Sequence, residues 1–140
     1  MIVFIIHHSI KVNMHDGMNI LVAYDGSIHA DNALIEAVKI GGKFYAHIDV
    51  LYCSWDESEQ NDLTLLKTRE NFLENSGVSY TLRCEPHEHV WKTIVDVADR
   101  EMSGLIVMGT RGMGTAKSMV MGSVSRKVIE NSLCPVLTVK

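Results

Sequence analysis

Leu105-Ile106-Val107-Met108 is an unbroken apolar run that passes directly into Gly109-Thr110-Arg111-Gly112, and after nine further residues Gly122-Ser123 opens an amphipathic stretch. A strand with one wet face alternates in polarity, so a continuous apolar run of this length reads as a parallel strand buried on both faces. A strand, a glycine-rich loop and a helix start, in that order, place a helix N-terminus at the carboxyl end of a strand. Glycine admits positive φ and lets backbone N–H groups come close to a ligand. The helix start adds unpaired donors and a partial positive charge. Such an arrangement suits an anion, a phosphate chain above all; the competing reading is that the glycines only make turns.

Two familiar phosphate loops do not fit. A Walker A loop requires Lys-Ser/Thr after its second glycine, and Gly114 is followed by Thr115-Ala116, with Lys117-Ser118 out of register. The dinucleotide fingerprint requires Gly-x-Gly-x-x-Gly after the first strand. Gly112-Met113-Gly114 begins that pattern late in the chain, and Lys117 stands in the third glycine position.

Strands and helices alternate along the chain. Ile20 to Tyr24 is a short apolar strand, and Ser27 caps the helix that follows. Ala30, Ala33, Leu34, Ala37 and Val38 repeat on one helical face, with Gly41-Gly42 as the expected stop. Phe44 to Tyr52 is a second strand, and Trp55 to Asn61 a polar connection. A second helix reaches about Ser76, with Leu65, Leu66, Phe72 and Leu73 on one face and Gly77 at its end. Val78 to Cys84 alternates, which predicts a half-exposed edge strand with Ser79, Thr81 and Arg83 outward. Pro86 suits the first turn of a third helix, whose buried stripe is Val90, Ile94, Val97 and Ala98. Strand 105–108, a fourth helix through about Asn131 and strand 136–139 follow. The rhythm predicts an α/β fold: a single-domain, doubly wound parallel sheet with helices on both faces.

At 140 residues the chain is one domain, and apolar content of 46% supplies a core without a disulfide or metal staple. A net charge of -4 argues against a nucleic-acid surface. Cys53, Cys84 and Cys134 are scattered, as in reduced, cytosolic proteins, and lack zinc-site spacing. Among the seven histidines, His87 and His89 are two apart and do not share a helical face, so no metal site is expected. Val3-Phe4-Ile5-Ile6 is too short to span a membrane. Residues 1–17 read as an extension outside the core fold, either from an upstream start codon or as an extra edge strand or partner-binding arm.

The spacing Gly109-x2-Gly112-x9-Gly122-Ser123 resembles the ATP-binding branch of the universal stress protein family. Asn19 to Ser27 is similar to that family's first strand and acidic turn, Pro86-His87-Glu88 to the opening of its third helix, and Cys134 to Lys140 to its terminal strand. The resemblance spans Met18 to Lys140. It implies a five-stranded parallel sheet of order 3-2-1-4-5, Rossmann-like and of the adenine-nucleotide α-hydrolase type. Ligands of such sheets lie at strand carboxyl ends where the winding reverses, so Asp25 and Gly109 should be neighbours.

Candidate phosphate contacts are the backbone amides of Gly112, Gly122, Ser123 and Val124; the Ser123 hydroxyl either joins them or caps the helix. By resemblance Asp25 lies near the ribose or adenine, with Ala23 and Tyr24 lining the pocket; an Asp before Gly-Ser also satisfies its own turn. Val50 matches a strand position that contacts adenine in the family and equally suits the core. Met108 suits either the base or a buried strand end. Arg111 and Lys117 flank the loop, where cations neutralise phosphate or stay solvated. Mg²⁺ would accompany ATP, without a dedicated carboxylate cage.

The resemblance thus implies a cytoplasmic, regulatory, adenine-nucleotide-binding module. The alternative is a slow ATPase or nucleotidyl-transfer enzyme of the same fold, although the motif holds no evident base and Tyr24-Asp25-Gly26-Ser27 lacks the Ser-Gly-Gly-x-Asp-Ser loop of such enzymes. A flavodoxin-type domain would carry its phosphate loop after the first strand instead. The apolar terminal strand 136–139 is an edge open to pairing, and the family dimerises there, so a homodimer is expected.

Overall fold

The computed structural model describes residues 4–8, 17–55, 60–113 and 121–140. Strands β1 (Phe4–His8), β2 (Asn19–Ala23), β3 (His47–Ser54), β4 (Tyr80–Pro86), β5 (Leu105–Gly109) and β6 (Val136–Val139) form one sheet in the order β1-β4-β3-β2-β5-β6. From β4 to β6 all neighbours run parallel. Numbered along the chain, these five strands have the expected order 3-2-1-4-5. β1 adds an antiparallel strand at the far edge, with Phe4 opposite Cys84 and His8 opposite Tyr80.

Helices α1 (Ile28–Phe44), α2 (Gln60–Lys67) and α3 (Glu70–Ser76) cover one face; α4 (Val90–Arg100) and α5 (Ser123–Asn131) cover the other. The first core joins Ala30, Ala33, Leu34 and Ala37 of α1 to Ile20, Val22, Ile48, Val50 and Val107 of the sheet. The second joins Ile94, Val97 and Ala98 of α4 and Val128 of α5 to Leu21, Leu51, Ile106 and Met108. Alternate residues of β2 and β5 thus feed opposite cores, which explains their unbroken apolar runs.

Several boundaries differ from the sequence expectations. Gly41-Gly42 does not stop α1; the helix continues to Phe44 and closes on Tyr45 in the left-handed region at φ 56°. A Cβ at position 41 would lie 2.8 Å from Ile48 Cδ1, so this glycine serves helix–sheet contact, and β3 begins only at His47. The single second helix is two, α2 and α3, broken where Thr68 Oγ1 donates to Leu65 O and Arg69 turns to pair with Asp31. Leu66 and Leu73 are buried as expected, whereas Phe72 is exposed. Gly77, at φ 73°, does end α3. Pro86 closes β4 rather than opening a helix; α4 starts at Val90 with His89 as its N-cap.

The largest correction concerns β4. It is not a half-exposed edge, because β1 and β3 flank it and its polar face is buried as well. Arg83 Nη2 lies 3.0 Å from Asp49 Oδ2, and Arg83 Nη1 lies 3.2 Å from Glu101 Oε1 and 3.5 Å from Glu85 Oε1. Arg100 pairs with Glu85 from the α4 end. Polar letters read as solvent-facing are therefore a buried ion ladder, in which each charge has a partner. Burial pushes the Asp49 carboxyl above its ordinary range, and the Arg83 guanidinium only partly offsets this. Arg83→Met should destabilise the fold by about 3–5 kcal/mol in urea unfolding by leaving carboxylates unpaired, and adding Asp49→Leu should recover a large part of that loss.

Candidate functional site

β2 pairs with β3 on one side and β5 on the other. The helices that follow β2 and β5 leave to opposite faces, so the carboxyl ends part into a cleft of about 470 Å³, within the roughly 300–1,000 Å³ common for small-molecule sites. Ala23, Tyr24 and Asp25 line it from the β2 end, and Met108, Gly109, Arg111 and Gly112 from the β5 end. Gly122, Ser123 and Val124 line it from the start of α5. The two segments that the sequence separates by most of the chain meet here: a Cβ at Gly112 would lie 2.7 Å from Asp25 Oδ2. A Cβ at Gly109 would lie 2.7 Å from His29 Cβ, so α1 crosses directly beneath the loop.

Val50 is the exception among the expected site residues. Its side chain is fully buried in the α1 core beside Val22 and Leu82, and it does not line the cleft. Val50 lies level with Val22, one position short of the cleft, whose walls begin at Ala23 and at Leu51, Tyr52 and Cys53 of β3. Lys117 lies outside the described residues.

The loop is tied at both ends. Gly122 N donates to Thr110 O at 2.7 Å, and Ser125 Oγ donates to Thr110 O at 3.1 Å and to Gly122 O at 3.0 Å. Gly122, not Ser123, is the N-cap of α5, and no side chain caps the helix among the described residues. The Ser123 and Val124 amides at the cleft are thus left for a ligand or water. Asp25 Oδ1 accepts from Ser27 N at 3.0 Å, which is the turn-closing role; Oδ2 is the oxygen next to Gly112. Asp25 is the acidic side chain of the described cleft wall.

Tyr24 lines the cleft, but its hydroxyl is committed elsewhere. It donates to Asp31 Oδ1 at 2.6 Å, and Arg69 grips the same carboxylate from Nε at 2.7 Å and Nη2 at 2.9 Å. Burial, then the Asp31 carboxylate, push the Tyr24 phenol up to about 12. Burial opposes ionisation of Asp31, yet the hydrogen bonds from Arg69 and Tyr24 outweigh it and hold the carboxyl below its usual range. On the opposite wall, burial and then the nearby Glu85 charge push the Cys53 thiol up to about 12.

Other lining residues escaped the sequence reading. Val90 and Ile94 belong to the α4 stripe read as core, and they extend to the cleft floor. Ser125 sits two residues past Ser123 in the first helical turn, a spacing that offered a signal. Trp55, Met113 and Ala30 also line the cleft. Trp55 follows the last residue of β3, a carboxyl-end position that a parallel sheet marks out for ligands.

A folded-state carboxyl held below its unfolded value contributes stability above the unfolded range, and that stability is lost as pH falls through the folded value. Asp31→Asn should therefore destabilise the protein by about 1–2 kcal/mol at neutral pH and flatten the acid limb of a urea-midpoint-versus-pH curve. An acid limb identical to the wild type would remove Asp31 from that role.

The universal stress protein family model matches residues 56–140. A universal stress protein of Thermus aquaticus is 33% identical over 137 residues, covering 86% of this chain and 97% of the relative. The universal stress protein UspA of Lactobacillus plantarum superposes with a TM-score of 0.74 at 25% identity, covering 88% of this chain and 97% of that one. That of Archaeoglobus fulgidus, solved in complex with dAMP, gives a TM-score of 0.69 at 22% identity, over 88% and 98% of the two chains; at that identity it speaks for the fold. With a cleft at the β2/β5 reversal, a glycine loop tied to the start of α5, a family model matching residues 56–140 and a relative matched over 97% of its length, the chain belongs to the universal stress protein family.

Proposed function

We propose that the chain is a regulatory module of its family that binds an adenine nucleotide, ATP with Mg²⁺, in this cleft. The supporting observation is the meeting of Asp25 with Gly112 beside the uncapped start of α5. Phosphates would take the Gly112, Ser123 and Val124 amides and the Ser123 hydroxyl, because that helix end supplies donors and a partial positive charge with no side-chain competitor among the described residues. The Gly122 amide, expected among them, is already spent on Thr110 O and instead holds the loop against the helix start. Arg111 lies on the same wall and would offset phosphate charge. Asp25 Oδ2 would reach the ribose, with Ala23, Tyr24 and Met108 closing the pocket around the sugar and base. The dAMP held by the Archaeoglobus relative is an adenine nucleotide on the same fold.

A Cβ at Gly122 would lie 3.3 Å from Thr110 O, so the bulk of a valine would force the loop off the helix start. Mass spectrometry of nucleotide released from denatured protein should find ATP in the wild type and none in Gly122→Val. A wild type that carries none and gains no thermal stability with ATP and Mg²⁺ rules out the proposal.

We further propose a homodimer through β6. It is the sheet edge beyond β5; Leu137 is exposed there, and Ile129 and Leu133 are exposed nearby in the chain. An open apolar edge favours strand addition. Leu137→Lys should convert the dimer into a monomer by light scattering after gel filtration, and a dimer that survives the charge excludes this edge.

A further inference from the structure

The cleft has two unlike sides. β3 and β5 flank β2 on opposite sides, which sets their carboxyl ends roughly 10 Å apart. The β5 side carries the glycine loop and Arg111; the β3 side carries Leu51 and Trp55, with Ile94 of α4 on the same apolar wall. An anion fits the first side. The second offers apolar surface to a flat, weakly polar group.

Trp55 is 81% exposed although it lines the cleft. It does not hang on a free loop. His87 N donates to Ser54 O at 3.2 Å, so pairing between the β3 and β4 segments continues up to the residue before it. The His87 ring meets the indole at a centroid distance of 4.3 Å and 69° between planes. An edge-to-face contact occupies at most one face of the indole. Among the described residues at least one face is therefore free, on a side chain held against His87 at the rim.

We propose that Trp55 stacks on the purine base of the bound nucleotide. This rests on the adenine-nucleotide reading of the cleft and adds the residue that selects the class of base. Stacking scales with ring area and does not read hydrogen-bonding edges. Trp55 therefore favours purine over pyrimidine nucleotides and does not separate ATP from GTP.

The test uses full-length protein stripped of nucleotide, with ATP, UTP and inorganic tripolyphosphate titrated calorimetrically into wild type, Trp55→Ala and Trp55→Phe. The alanine variant should lose about tenfold or more in ATP affinity, lose less for UTP, and bind tripolyphosphate as the wild type does. The phenylalanine variant should keep most of the ATP affinity. The chain has two tryptophans, so in Trp91→Phe the remaining emission is that of Trp55, and ATP should quench it. Unchanged ATP affinity in Trp55→Ala, or equal losses for ATP and tripolyphosphate, would overturn the stacking role while leaving the nucleotide site standing. A wild type that binds tripolyphosphate but shows no preference for ATP would overturn the base site. A wild type that binds neither would overturn the nucleotide reading itself.

Discussion

The pairing of β2 with β3 on one side and β5 on the other is the contact on which the rest of the molecule depends. Val22 stands between Val50 and Val107 in register, and all three are fully buried. Each such side chain contributes on the order of 1.5–3 kcal/mol by leaving water. The backbone groups along these strands are used in the ladder, and α1 and α5 then depart to opposite faces. What is left at the carboxyl ends is a gap floored by apolar side chains and rimmed by free amides. The cleft follows from the winding of the chain, and a ligand is not required to form it.

The ion ladder that is buried at Asp49, Arg83 and Glu85 and reaches the surface through Glu101 and Arg100 secures a different part of the same sheet. As a source of stability it is weak, because desolvation offsets much of the attraction. Its weight falls on register. A slip of one residue in β4 would turn Arg83 into the α1 core beside Ile48 and Val50 and leave Asp49 unpaired. The strand that ends at the β3 side of the cleft is in this way fixed against sliding.

The parallel sheet was legible because it rests on local chemistry, whereas its order, and with it the approach of Asp25 to the glycine loop, came from the resemblance to the family. A run such as Leu105 to Met108 has few other homes, and Ser27 caps α1 as its letter suggests, accepting from Ala30 N at 3.1 Å. Failures came where a residue's reason was tertiary. Gly41 reads as a helix stop but exists to admit Ile48. Arg83 and Thr81 read as solvent-facing because the partners that take them up, Asp49 and Glu101 for Arg83 and His47 for Thr81, come from other elements. Val50 falls short of the cleft because it sits level with Val22, one step before the strand ends where the walls begin. Trp55 gave no periodic signal, since its position is set only by where β3 ends.

Cys53 on the cleft wall has a consequence for chemistry at the site. Burial and the nearby Glu85 charge push its thiol up to about 12, so it stays in the thiol form at neutral pH. Peroxide and electrophiles attack the thiolate form. An oxidant that reaches this wall meets a sulfur held in its less reactive thiol form, so oxidation that readily inactivates pockets lined by low-pKa cysteines would act more slowly on this one.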